Sequence, residues 1–488
     1  MPKGQFQADR YHFTMGNFSL TEHSWIEGEP MSDLPATFYV SFRKLPFAPC
    51  VGHERLVENL THISIDSPRI RFLKNDRAGL DLIAKHLENK KISATVRTVR
   101  PGTIMFPNEP IADISGPFAT TQLTEVKFEH AFDIPMTVAS RALRMRMAAG
   151  DRWLSDFSLR RNGEIERSVD VARYAYIGGF NDTSNMEAGF LLDHFPVGTM
   201  AHYLVQTYMG VQETDPLTGK PKHFQQICFE RWLDAHPNGT TILLDTISMP
   251  LGITHAIAAA KTSEARRKAF RAVRIDTSPL AEWSVWAQSV LDTNGFSDVK
   301  IMTSGDHDEA SIAEVVRLHP RSFGFGVGTK LLSEVPNVAG VIFKECIIRG
   351  IPTLKCSSKG KATLPGRLQV IRYSDKDGYY IGDVITSPIK PLDSRDPMAV
   401  CPWKNAAFAD SLLNEFWNDG TYDEIPSRDD QREWVLDQLK RFRDISNYPV
   451  RTSPVLKELI TRITEYMNDD PNEYPHMVIP KGGLPCGN

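Results

Sequence analysis

The sequence predicts an α/β protein built around a parallel sheet or barrel, with an α+β region ahead of it and helices behind it. Beyond residue 150, a short apolar strand ending in small polar residues yields to a helical pattern four times in succession. Each repeat takes about 25 to 30 residues, the length of a strand plus its crossover helix. The strand runs are almost continuously apolar, as in sheets covered on both faces. A chain of 488 residues also exceeds one ordinary core, which points to roughly two to four domains or one large barrel with additions.

The first third mixes strand-like runs such as "ATFYVSFRKLPF" with amphipathic stretches such as "DLIAKHLENKK", the mark of an α+β region. "RTVRPGTIMFPNEPIADISGPF" breaks short β-rich runs with Pro and Gly and reads as a small strand cluster. A helical pattern then runs from Leu123 to Ala149. The four strand-helix units are "TILLDTIS" into "GITHAIAAAKTSEARRKAF", "AVRIDTS" into "PLAEWSVWAQSVLDTNGF", "DVKIMTSG" into "DHDEASIAEVVRLHP", and "SFGFGVGT" into "KLLSEV". Helices follow in the last hundred residues, in "SRDDQREWVLDQLKRF" and "SPVLKELITRITEY", and the Pro/Gly-rich "PHMVIPKGGLPCGN" reads as a flexible tail.

Composition narrows the function classes. A net charge of -4 gives no general pull toward nucleic acid or anionic membrane, so neither is expected as a partner and any phosphate affinity must be local. The six cysteines are scattered with no CxxC pair, the usage of a reducing compartment rather than of a disulfide framework or zinc site. "MPKGQFQADRYHF" has no apolar signal core, and no run approaches the roughly 18 apolar residues of a membrane span. The expected location is the cytoplasm.

In parallel α/β architectures ligands bind at the C-terminal ends of the strands. Those ends carry Asp245, Thr246, Asp276, Thr277, Ser304, Gly305, Gly328 and Thr329, acids, hydroxyls and glycines suited to phosphates, sugar hydroxyls or a hydrated metal ion. "GFGVGTK" offers free amides to an anion or simply turns tightly. "YIGGFNDTSN" reads first as a turn and helix cap. The arginines of "DFSLRR" suit phosphate or carboxylate, or a solvated edge. The acids of "DHDE" fit a helix start better than a metal. Taken alone, His202 and Tyr11 read as structural. Lys355, Lys359, Lys361, Arg367 and Arg372 cluster around turn residues as a basic hairpin, solvent-facing by default. In "AVRIDTSPLAEW", Asp276 stands at the strand end, with Ser278 as expected N-cap and Pro279 as first helical residue.

Taken in order, "DRYHFTM", "SFRKLPF", "FPNEPIADISGPFATTQLTE", "DFSLRR", "YIGGFNDTSN", "GTMAHY", "LLDT", "VRIDT", "SGDHDE", "FGVGT" and "KATLPGRLQVIR" resemble the nicotinate phosphoribosyltransferase family over nearly the whole chain. The resemblance implies an irregular, TIM-like α/β barrel of a type II phosphoribosyltransferase with an N-terminal α+β domain and a C-terminal helical extension. Laid on this chain, the N-terminal domain spans 1–135 and the barrel with the active site 136–348. A C-terminal segment, 349–488, returns strands to the N-terminal domain before its helices and tail.

The implied reaction joins nicotinate to phosphoribosyl pyrophosphate, giving nicotinate mononucleotide and pyrophosphate in NAD salvage. Mg²⁺ is the implied cofactor and ATP the co-substrate, coupled through a phosphohistidine at His202, and the enzyme is implied to be a homodimer. By the same resemblance, His202, Asp276 and Arg160 are catalytic. Tyr11 stacks on the pyridine ring, and Arg161 serves the substrate anions with Arg160. Thr183 and Ser184 line the ribose-phosphate region, Gly328 and Thr329 hold the 5′-phosphate, and Arg274, Ser304 and Gly305 complete the substrate-binding set. No metal ligands are assigned. Where the family has Ser-Gly-Asp-Leu after the aspartate, this chain has Thr277, Ser278, Pro279 and Leu280, so a glycine and a carboxylate are missing. Transfer to nicotinamide or another N-heterocycle, and nucleotide binding without turnover, stay open as alternatives.

Overall fold

The computed structural model describes residues 7–61, 65–77, 79–88, 92–163, 165, 167–216, 218–332, 338–356, 362–387 and 397–468. It divides into two compact units, one of Met1–Thr137 with Val338–Asn488 and one of Val138–Asn337. The dividing line falls inside the helix Glu125–Ala149, which carries Pro135 in its interior. Among the described residues no helix is long and apolar enough to cross a membrane.

The first unit holds a seven-stranded sheet with Pro35–Phe42 near its middle, paired antiparallel to Pro110–Pro117 on one side and to Val341–Ile348 on the other. Register places Val40 opposite both Ala112 and Phe343, so the strand's apolar residues feed a core that includes Phe38, Phe42, Phe128 and Phe132. The sequence reading placed Val341–Ile348 at the end of the barrel. It pairs here instead, because no crossover helix follows it: the chain turns at once into Ile351–Pro352.

A four-stranded sheet, with Gln369–Ser374 and Tyr380–Thr386 at its centre, belongs to the same unit. Asn414–Asn418 pairs with Thr95–Thr98. Of the basic hairpin, Arg372 is buried, with Nη2 donating to Asp383 Oδ2 at 2.6 Å. Lys359, Lys361 and the tail lie outside the described residues.

In the second unit, β1 (Trp153–Asp156), β2 (Asp182–Thr183), β3 (Thr240–Leu243), β4 (Phe270–Ile275), β5 (Lys300–Gly305) and β6 (Gly324–Val327) form one sheet in the order β2-β1-β6-β5-β4-β3. All pairings are parallel. The sheet is a half-barrel rather than a closed one, and its two ends do not pair among the described residues.

Helices Met249–Lys261, Leu280–Thr293 and Glu309–Leu318 follow β3, β4 and β5. After β6 the expected helix is a short 3₁₀ turn, Thr329–Leu331, and 333–337 lie outside the described residues. Ile242, Leu244, Val273, Ile275 and Ile301 pack with Ala256, Ile257 and Leu291 of the helices. Burying such strands between helices is what their unbroken apolar character requires.

Candidate active site

Because every strand of the half-barrel runs the same way, the polar residues at the strand ends converge on one rim. A cleft of about 280 Å³ opens there, lined by Phe157, Arg160 and Arg161 after β1, Arg274 and Asp276 at β4, Ser304, Gly305 and Asp306 at β5, and Gly326, Gly328 and Thr329 at β6. A second cleft, about 310 Å³, shares Phe157, Arg160 and Arg274 and adds Leu159, Ser184 and Gly198.

Arg160 and Arg161 lie in a 3₁₀ turn, Leu159–Arg161, exposed and with no protein partner among the described residues. They are free to take an anion in the bidentate way a guanidinium favours. Two glycines are dictated by this geometry. Gly305 has φ +129°, and a Cβ at Gly326 would come 2.3 Å from the ring of Phe157, so only glycine lets that ring lie across β6.

Asp276 Oδ1 accepts from the Ser304 hydroxyl at 3.0 Å, and Oδ2 is 4.0 Å from His202 Nε2. His202 Nδ1 pairs with Thr246 Oγ1 at 3.1 Å, which leaves Nε2 on the side of Asp276. Asp245, at the end of β3, has a buried and unpartnered Oδ1, and burial is the main cause holding its carboxyl above the usual range. Arg274 uses its donors on the loop before His202, with Nη1 bonded to Thr199 Oγ1 at 3.0 Å and Nη2 to the Met200 carbonyl at 3.1 Å. Burial and neighbouring Arg160 lower its affinity for its proton, against the pull of Asp276 and Asp245.

Residues 6–128 match the family described as nicotinate phosphoribosyltransferase (NAPRTase) N-terminal domain, and 153–349 the nicotinate phosphoribosyltransferase (NAPRTase) family. Nicotinate phosphoribosyltransferase pncB2 of Mycobacterium tuberculosis is 31% identical over 402 residues, covering 81% of each chain. The chain belongs to the nicotinate phosphoribosyltransferase family. The Bacillus subtilis nicotinate phosphoribosyltransferase is 29% identical over 77% of this chain and 75% of its own. Among solved structures, human nicotinic acid phosphoribosyltransferase has the same fold, with TM-score 0.73 and 22% identity over 93% of this chain and 99% of that one. The nicotinate-nucleotide pyrophosphorylase of Pyrococcus furiosus aligns with TM-score 0.67 at 23% identity, covering 90% of this chain and 96% of that one.

On this nicotinate phosphoribosyltransferase fold, the rim brings together Arg160, Arg161, Ser184, Arg274, Asp276, Ser304, Gly305, Gly328 and Thr329, with His202 against Asp276. Thr183 is not among the residues lining either cleft: it is 5% exposed and donates its hydroxyl to Asp156 Oδ2 at 2.9 Å. Tyr11 belongs to the first unit, where its hydroxyl donates to Glu125 at 2.6 Å. Burial and that carboxylate push the phenol well above its ordinary range.

Ser278 does not cap the next helix. The helix begins at Leu280, with Pro279 in the cap position and the Ser278–Pro279 peptide cis. Sequence reasoning missed Phe157, which lines both clefts, and Asp306. All of "DHDE" read as a helix start, yet Asp308 alone forms the capping box, with Ser311, while Asp306 lines the cleft. Its position directly after a strand-end Ser-Gly pair was the available signal.

Proposed function

We propose that this chain is a nicotinate phosphoribosyltransferase of NAD salvage, joining nicotinate to phosphoribosyl pyrophosphate to give nicotinate mononucleotide and pyrophosphate. The observation that carries the reading is the pair of adjoining clefts that share Phe157, Arg160 and Arg274. One cleft, with two free arginines, Ser304 and the Gly328–Thr329 turn, suits the phosphates. The other offers a flat ring, two guanidinium groups and the Ser184 hydroxyl without a carboxylate. That set takes the anionic carboxyl of nicotinate and gives the amide hydrogens of nicotinamide no acidic acceptor.

The pyridine nitrogen attacks with its own lone pair, so the protein has no proton to remove from it. Arg160 and Arg161 hold the electrophile and the leaving pyrophosphate, and Asp276 shields cationic charge developing on the ribose. Among the described residues no group of three or more His, Cys, Asp or Glu is placed to hold a metal. Asp276 and Asp306 both face the cleft, and two carboxylates together with substrate phosphate oxygens are a set that suits Mg²⁺. Bound there, Mg²⁺ would neutralise pyrophosphate charge.

In the ATP-coupled cycle we assign phosphoryl acceptance to His202 Nε2, since Nδ1 is engaged by Thr246. We also propose a homodimer as the working form. Phe190 at 80% and Phe195 at 92% exposure are large apolar side chains that a partner subunit would cover.

The test incubates purified enzyme with phosphoribosyl pyrophosphate, Mg²⁺ and either nicotinate or nicotinamide, with and without ATP, and identifies products by mass spectrometry. Nicotinate mononucleotide from the wild type, with the ATP effect lost in His202→Ala, is expected. Its absence, or equal use of nicotinamide, overturns the reading.

A further inference from the structure

We propose that Asp156 is a positioning residue that locks the two halves of the acceptor cleft together; this rests on the nicotinate reading above. Asp156 is 2% exposed, at the last position of β1, directly opposite Thr183 of β2. Both of its carboxylate oxygens are engaged. Oδ1 accepts the Ser158 N–H at 2.8 Å, and Oδ2 accepts the Thr183 hydroxyl at 2.9 Å.

Each bond holds one wall. On the first side, the Ser158 carbonyl accepts the Arg161 N–H at 2.7 Å, which completes the turn that presents Arg160. On the second, Thr183 Oγ1 accepts the Asn185 N–H at 3.2 Å, and the Ser184 N–H reaches the Asp156 carbonyl at 2.9 Å, so Ser184 is held from both sides. Burying a carboxylate costs free energy unless its oxygens are satisfied. Here the bonds that satisfy it also set the spacing of Arg160 and Ser184 across the cleft.

An aspartate suits this place because both neighbours present donors. Asparagine is a weak probe, since its NH2 can donate to the Thr183 hydroxyl while its oxygen keeps the Ser158 N–H; alanine removes both acceptors. Thr183→Val keeps the shape and removes the hydroxyl's bonds to Asp156 and to the Asn185 N–H, both in the wall that carries Ser184, which lines the acceptor cleft and not the phosphate cleft. Asp156→Ala disturbs both walls, including Arg160, which lines both clefts.

Steady-state kinetics with nicotinate and phosphoribosyl pyrophosphate, alongside thermal melts, separates these effects. Thr183→Val should raise KM for nicotinate on the order of tenfold while KM for phosphoribosyl pyrophosphate stays within about twofold. Asp156→Ala should raise both, and the double variant should lose less than the product of the two single losses, since the Asp156–Thr183 bond can be removed only once. KM values at the wild-type level in both variants, or losses that multiply in the double variant, overturn the clamp. So does an equal rise in both KM values for Thr183→Val. Should Asp156→Ala fail to fold, Thr183→Val decides alone. If the wild type makes no mononucleotide, the nicotinate reading falls and takes this proposal with it; wild-type turnover with unmoved KM values sinks the clamp only.

Discussion

Gly326→Ala inserts one methyl group where the structure has room for none. An ideal Cβ at this position stands 2.3 Å from Phe157 Cε2 and 2.6 Å from Cδ2. Ordinary carbon contacts lie at about 3.5 to 4.0 Å, so the ring must retreat by more than about 1 Å. The backbone of β6 cannot yield instead, because it pairs with β1 on one side and β5 on the other.

Phe157 lines both clefts, so the displacement reaches acceptor and phosphate together. Overpacking of this kind costs about 1 to 3 kcal/mol of stability. A misplacement of about 1 Å can lower turnover on the order of a hundredfold. The assay is kcat/KM for nicotinate beside a thermal melt: a folded variant with a large loss of kcat/KM is expected. A variant within about twofold of wild type would refute the placement of Phe157 as the wall shared by both clefts.

Three further outcomes are expected. Asp276→Asn should cut kcat on the order of a hundredfold, whereas Ser278→Gly with Pro279→Asp, which restores the family's residues, should alter Mg²⁺ or ATP dependence; unchanged kinetics in both would make this seam structural only. Arg372→Met leaves Asp383 charged and buried, so chemical denaturation should show a loss of about 3 to 5 kcal/mol, mostly regained when Asp383→Leu is added; a small loss in the single variant would contradict the pairing.

The third concerns pH. Burial lowers the affinity of His307 for a proton to a pKa of about 4, from 6.5. The unfolded chain therefore binds the extra proton first as pH falls below 6.5, and stability drops with acidification through that window, by about 2 kcal/mol at pH 5. His307→Gln should flatten the melting temperature between pH 7 and 5, and an unaltered slope would show that His307 is not the group responsible.

The half-barrel was legible because its strands are buried on both faces. Such strands lose the polar alternation of a half-exposed sheet, and the return of helical periodicity after each one marks the crossover. The rim was legible for a related reason. A strand end is where the apolar run stops, so Asp276, Ser304, Gly305, Gly328 and Thr329 could be named as facing a ligand before any fold was known. The motif order supplied what spacing could not, since His202 and Tyr11 read as ordinary structural residues by themselves.

Local pattern determined which segments are strands, which faces they bury and which residues stand at their ends. Tertiary structure decided the partners. Val341–Ile348 has the pattern of any buried strand, and only pairing with Pro35–Phe42, some three hundred residues earlier, assigns it to the first unit's sheet. Thr183 carries a hydroxyl suited to a ligand, yet the register of β2 on β1 sets it opposite Asp156 and directs that hydroxyl into the protein. Asp306 and Asp308 differ by two positions, and the turn after β5 sends one into the cleft and the other to a helix cap. Burial follows from periodicity along the chain; a hydrogen bond's direction follows from what the rest of the chain brings alongside.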